Sequence, residues 1–299
     1  SVEGGNFIGT VYSGTNGFIS GGTFTEAVEE VYCAAGHIPT KNADGTYGVK
    51  TGKFVAEVGG KKYETIQAAI NAAQANETVT IFEGTYAMPS MKAGITVVGE
   101  GNVLLTGTLS GTLENLTLKN LHIKGGNAQR WAYAKGDLVF ENVTFEATSV
   151  YALHFDGIAA GTNLTYKNCT IIGWAAMGGS PASCTFEGCT FKGNGTYGVI
   201  RTYFDATIKN CTFDVANVNT NDIYQDGIHA VGGAIVTVDN CTNVNGDMKA
   251  IVNVNGASEV VLDGVKITAL TGSNTFAVKK LLCEDDTASN YLVYDPRSF

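Results

Sequence analysis

The chain has few prolines, few cations and no long apolar run, and each shortage excludes something. Only 4 of its 299 residues are proline against 38 glycines, and aromatic residues make up 10%. That balance suits many short strands joined by tight turns better than a helical bundle. Lysine and arginine total 19 against 28 acidic residues, a net charge of -9, and they form no cluster. Phosphate-backbone binding needs basic side chains that displace counterions, so nucleic acid is not an expected partner. No stretch of 18 or more apolar residues occurs, which argues against membrane insertion, and the first residues lack the basic and apolar regions of a signal peptide. The 7 cysteines form no CxxC pair of the metal-binding kind, and an odd number cannot be wholly paired within one chain. No cofactor and no metal ligand is expected.

What is present is a core's worth of apolar sequence, 44%, arranged as a repeat. One strand template recurs seven times at irregular spacings of about 20 to 30 residues. Each copy is anchored on an Asn or Gly: Asn120, Asn142, Asn168, Gly188, Asn210, Asn240 and Gly264. Two positions earlier stand Leu118, Phe140, Tyr166, Phe186, Ile208, Val238 and Leu262, which are expected to point inward. Thr117, Val139, Thr165, Thr185, Thr207, Thr237 and Val261 alternate with them and point outward, as a period of two requires. The position before each anchor reads Lys119, Glu141, Lys167, Glu187, Lys209, Asp239 and Asp263. Stacked strands lie about 4.8 Å apart, so its first five members set unlike charges side by side. This column reads as support for the stack rather than as chemistry.

Just after the anchors come Leu121, Val143, Cys169, Cys189, Cys211, Cys241 and Val265, in which cysteine replaces aliphatic residues. A ladder of buried, reduced thiols is expected there, with disulfides or reactive thiols as the alternative. Cys33 and Cys283 lie outside the ladder and can pair only if the chain ends meet. The anchors suggest an asparagine ladder at a bend, where side-chain amides bond one another or tolerate a left-handed backbone. Triplets such as Asn142-Val143-Thr144 match a glycosylation sequon, but repetition accounts for them.

A second strand per coil is expected at Trp131–Ala134, Tyr151–His154, Trp174–Met177, Tyr197–Ile200, Asp226–His229, Lys249–Val252 and Phe276–Lys279. Loops of varying length precede these strands, and variable loops on one face of a stack are where binding usually resides. Thr65 to Ala75 reads as a capping helix: Ile66, Ala69, Ile70 and Ala73 share a face, Thr65 is the N-cap and Asn76 the stop. The fold class expected is all-β, a single-stranded right-handed parallel β-helix over residues 58–299. A small β-rich segment, residues 1–57, precedes it. Because the chain opens inside strand-like sequence, Asn6 to Thr10 and Gly17 to Phe24, it reads as a piece of something longer.

Thr65-Ile66-Gln67-Ala68-Ala69-Ile70, then Val79 to Tyr86, then Ile95-Thr96-Val97-Val98-Gly99-Glu100-Gly101, resemble the opening of the pectin-lyase-like β-helix superfamily. Residues Gly17 to Val49 resemble a short module repeated in large bacterial surface proteins. These resemblances imply an extracellular setting, at a bacterial cell surface or secreted, with a polysaccharide or a host or cell-surface glycan as partner; they leave the oligomeric state open. The superfamily hosts lyases, hydrolases, epimerases, tailspikes and adhesins, so architecture alone does not choose. The stacked Asp residues and Arg base of pectate lyases, and the Asp trio, Gly-His-Gly and Arg-x-Lys of polygalacturonases, are not intact in this chain.

Two functional readings follow. In one, a noncatalytic module binds glycan or mediates adhesion, with Trp131, Tyr151, Trp174 and Tyr197 as an aromatic column and Tyr203 and Tyr224 beside it. The same four rings would need no ligand if they formed an interior stack. In the other, a polysaccharide lyase or glycoside hydrolase acts on a uronic-acid-containing chain, Arg201 holding the acidic sugar while Asp226 or His229 serves as acid or base. A structural pairing of Asp226 with Lys249 accounts for the same residues without chemistry.

Overall fold

A computed structural model describes residues 1–218, 228–231, 234, 236–245, 252–255 and 282–283. The chain is all-β and forms the expected parallel β-helix, and among the described residues it has one α-helix, at the start of the stack. One face stacks Thr78–Ile81, Thr96–Gly99, Leu109–Lys119, Gln129–Glu141, Asn163–Lys167, Ser183–Glu187, Ala206–Lys209 and Val236–Asp239. Its register is that of the columns: Leu118 pairs with Phe140, Phe140 with Tyr166, Tyr166 with Phe186, Phe186 with Ile208 and Ile208 with Val238. All six are buried, and Phe140, Tyr166 and Phe186 stack ring on ring at 4.9 and 4.5 Å. Each such ring removed from water contributes roughly 1.5–3 kcal/mol.

The chain leaves this face at the anchors. Asn120, Asn142, Asn168, Asn210 and Asn240 have φ between 47 and 54°, and Gly188 has 64°. Asparagine tolerates that left-handed conformation because its short amide bonds locally. The Asn142 amide also donates to the Asn120 carbonyl oxygen, 3.1 Å away. Both expected uses of the ladder are therefore present. Beyond the bend a second face stacks Gly84–Ala87, Val103–Thr106 and His122–Gly125, and then residues 144–147 and 170–172, Thr190–Lys192, Thr212–Asp214 and Thr242–Asn245. Outside the bend, Lys119 bonds Glu141 at 2.7 Å and Lys209 bonds Glu187 at 3.2 Å, as the alternating column requires.

Cys169, Cys189, Cys211 and Cys241 are buried thiols with no disulfide among them. The Cys211 sulfur accepts from the Cys189 amide and the Cys241 sulfur from the Cys211 amide, each at 3.3 Å. Hydrogen bonds between neighbouring thiols raise Cys169 and Cys211 above an ordinary thiol and lower Cys189 and Cys241. Burial works against ionisation at every rung. Cys33 is also a buried free thiol, and the Cys283 side chain lies outside the described residues.

The helix spans Ile66–Ala72, with the Thr65 hydroxyl accepting from the Ala68 amide at 3.2 Å; it is capped at Ala73, short of the expected stop, and Asn76 is left-handed in the turn that follows. Ile66, Ala69, Ile70 and Ala73 are buried over the first coil. Ahead of it, residues 1–51 build a four-stranded sheet of their own around Ile19, Phe24, Val28, Tyr32 and Cys33. Val55 and Ala56 already belong to the β-helix core.

Candidate functional site

The third face of the stack carries the outward side chains that matter most. It is laid down where Ala132 pairs with Phe155, Leu153 with Ala175, Ala176 with Arg201, and Arg201 with His229. The inward partners Ala132, Phe155, Met177 and Thr202 are buried and hold the register. The outward row is Trp131, His154, Ala176 and Arg201, one per coil, and the backbone of His229 stands in register with Arg201 on the next strand.

Tyr151, Trp174 and Tyr197 do form a column. Their rings stack at 5.4 and 4.5 Å with interplanar angles of 18 and 26°. Trp174 is buried and its neighbours half-buried, so the ring faces are spent on one another. Trp131 is not the head of that column. The Tyr151 amide bonds the Asn127 side chain and its carbonyl accepts from Ala128, so Tyr151 lies beside residues 127–128, whereas Trp131 sits beside His154. Loops of unequal length make the second strands impossible to align by their leading residue alone, and that is why the four aromatics read as one series. Arg130 links the two parts, its guanidinium 5.1 Å from the Trp131 ring and 4.6 Å from that of Tyr151.

Trp131 is 59% exposed and Tyr133 55%, at alternate outward positions of Gln129–Glu141. Thr112 precedes Tyr133 by one coil and Gly157 follows it. A side chain on Gly157 would meet the Tyr133 ring at 2.5 Å, so glycine there lets the ring lie flat across the next coil. Further along, Tyr203 is 44% exposed, carries Arg201 over its ring at 4.9 Å and lies against Gly178. The face is thus a shelf with aromatic rings toward both ends and small residues between, Ala176 and Gly178. Trp131 has φ of 52°, a conformation unusual for a bulky residue.

Tyr133 and Arg130 were not legible as site residues, although the Trp131-x-Tyr133 alternation is a strand signal. His154 sits at the centre of the row. Its Nδ1 lies 2.8 Å from the Ala176 carbonyl oxygen and its Nε2 3.2 Å from Asp156. Both nitrogens face acceptors, which orients the ring. The pairing of Arg201 with His229 puts those two candidates on adjacent strands, while His154 is three coils from His229, about 14 Å by strand spacing. Asp226 and Tyr224 lie outside the described residues, as does the His229 side chain.

On the second face, His122 and Lys124 both bond Glu146, at 2.8 and 2.6 Å. The Lys124 ammonium, outweighing partial burial, holds that carboxyl below its ordinary range. An open cavity of about 430 Å³ lies beside it, lined by Asn102, Asn120, His122, Asn142 and Thr144 among others. Among the described residues no three His, Cys, Asp or Glu side chains converge to hold a metal. No helix among them is long and apolar enough to cross a membrane.

Stacked parallel coils, a helix over the first of them and a side face rich in exposed rings define a parallel β-helix protein. Residues 68–213 match the family model described as right handed beta helix region. The chain is a right-handed parallel β-helix, with an architecture consistent with the pectin-lyase-like kind. No curated protein matches it.

Proposed function

We propose that the chain is a noncatalytic module, displayed at a bacterial surface or secreted, that binds glycan on its third face. The observation that carries this reading is the pair Trp131 and Tyr133, both more than half exposed on one strand of a stacked sheet. Sugar rings present apolar faces to aromatics and hydroxyls to polar neighbours, and Thr112, His154 and Asp156 supply the latter beside the rings. The strand holds both rings in place before a ligand arrives, so little ordering cost remains to be met on binding. Retention on immobilised polysaccharides tests it. Trp131→Ala and Tyr133→Ala should each weaken retention roughly 2- to 10-fold, the equivalent of ~0.5–1.5 kcal/mol per aromatic contact. Unchanged retention in the double variant removes this face from the reading.

A second reading rests on the adjacent register of Arg201 and His229. In it the chain cleaves a uronic-acid-containing polysaccharide, with Asp226 as the titrating carboxylate. Release of unsaturated or reducing ends by the unaltered chain, lost in Asp226→Asn while binding persists, would establish this instead.

A further inference from the structure

The first residues of the chain repeat themselves at a spacing of seventeen. Val2-Glu3-Gly4-Gly5-Asn6-Phe7 corresponds to Ile19-Ser20-Gly21-Gly22-Thr23-Phe24. The two segments lie side by side in parallel with that alignment: Val2 opposite Ile19, Asn6 opposite Thr23, Phe7 opposite Phe24. Gly5 and Gly22 share a left-handed bend, φ 105 and 107°, and in each segment the phenylalanine ring folds back over its own glycine. The rings of Phe7 and Phe24 stack at 4.9 Å and 15°. They are two rungs of one design.

The preceding glycine of each rung has a different situation. A Cβ on Gly21 would lie 2.0 Å from the Glu3 carbonyl oxygen of the rung before it, so only glycine fits. Gly4 holds the same place in the first rung, and a Cβ there would meet nothing within 4 Å. The second rung is covered on its far side by the antiparallel pairing of Thr23 and Phe24 with Gly48 and Tyr47. The first rung is the edge of the sheet. Its Gly5 and Phe7 carbonyls accept from Thr23 and Thr25, so alternation in a parallel ladder turns the N–H and C=O groups of Asn6 and Ile8 outward. Ile8 is 95% exposed and Phe7 38%. No proline or lysine guards this edge, which is how exposed edges are commonly blunted.

We propose that the edge Val2–Ile8 is a docking site for a further polypeptide strand carrying the same Val/Ile-x-Gly-Gly-x-Phe motif, added in parallel. Such a strand would place its phenylalanine on Phe7, its backbone against Asn6 and Ile8, and a carbonyl oxygen at the empty position over Gly4. A second copy of this chain presenting the same edge related by a two-fold axis would run antiparallel and lose that match.

The test extends the full chain with a duplicate of residues 1–17 placed ahead of Ser1, which keeps the spacing and supplies the strand at high effective concentration. Hydrogen exchange at the Asn6 and Ile8 amides should slow by about 10-fold or more relative to the unextended chain. Gly4→Val should abolish that protection while leaving the melting of the unextended chain unchanged. Replacing the phenylalanine of the added copy by alanine, which alters only the added segment, should weaken protection as well. Equal exchange with and without the extension overturns the proposal, as does protection indifferent to both substitutions. Concentration-dependent protection of these amides in the unextended chain would assign the edge to a second copy and overturn it too.

Discussion

The side-chain amide of Asn142 donates to the carbonyl oxygen of Asn120 at 3.1 Å, and both residues turn the chain with a left-handed backbone. Two separable contributions therefore meet at one position. Asn142→Gly keeps the bend and loses the amide bond, a change of roughly 0.5–1.5 kcal/mol before the entropic cost of glycine. Asn142→Ala loses the bond and also adds about 1–2 kcal/mol of backbone strain. Alanine should lower the melting temperature more than glycine. Both variants lose the ladder bond, so the reverse order would show that left-handed strain at this bend is outweighed by the entropic cost of glycine.

Cys169, Cys189, Cys211 and Cys241 should resist a thiol reagent until the protein unfolds, since all four are buried. Val143 occupies the same column, so Cys169→Val should cost less than about 1.5 kcal/mol. Rapid native-state labelling of the four, or any disulfide among them, would falsify the ladder. This column was legible because a buried position repeated every coil leaves its mark in composition. The bend residues and the charge column were legible for the same reason. The third face was not: its strands follow loops of unequal length, so Trp131 could not be set beside His154 until the pairing of Ala132 with Phe155 was known. The local sequence offers the Trp131-x-Tyr133 alternation and the short span from His154 to Asp156, but that these residues share one face follows only from that pairing.

Glu141 and Glu146 both titrate below the ordinary 4.5, the first through its hydrogen bond from Lys119 and the second through that from Lys124. A carboxyl depressed by folding stabilises the native state above its unfolded value and loses that contribution as pH falls through the folded value. Melting temperature should therefore hold near neutrality and decline below about pH 4.5, where the unfolded chain begins to take up protons first. Glu146→Gln should flatten part of the decline. If the acid limb is the same in both proteins, the Lys124–Glu146–His122 group does not contribute to it.

Ile70 is fully buried between the helix and the first coil. Ile70→Asp places an unpaired charge in that contact, at an expected cost of several kcal/mol, on the order of 3–5. The helix seals an end that would otherwise expose core and strand edges, so the variant should also aggregate at temperatures where the parent remains dispersed. An unchanged melting temperature and unchanged light scattering would show that the stack does not depend on its cap.

Trp131 combines three properties that seldom coincide: an aromatic ring, 59% exposure and a φ of 52°. Its neighbours explain the location but not the residue, because the same backbone conformation is taken elsewhere in this chain by asparagine, at Asn115 with φ 46° and at Asn120 with 54°. A bulky side chain there costs about 1–2 kcal/mol relative to a residue that tolerates the conformation. Trp131→Asn should remove that strain without the entropic cost of glycine, offset in part by the lost contact with Arg130 at 5.1 Å. Melting temperature should then stay level or rise. If the ring is kept for binding, the same substitution should weaken retention on the glycan that the unaltered chain holds, giving a protein no less stable and less able to bind. A variant that loses stability with no change in retention would mean that Trp131 serves the packing around Arg130 and Tyr151, and the glycan reading would lose its central residue.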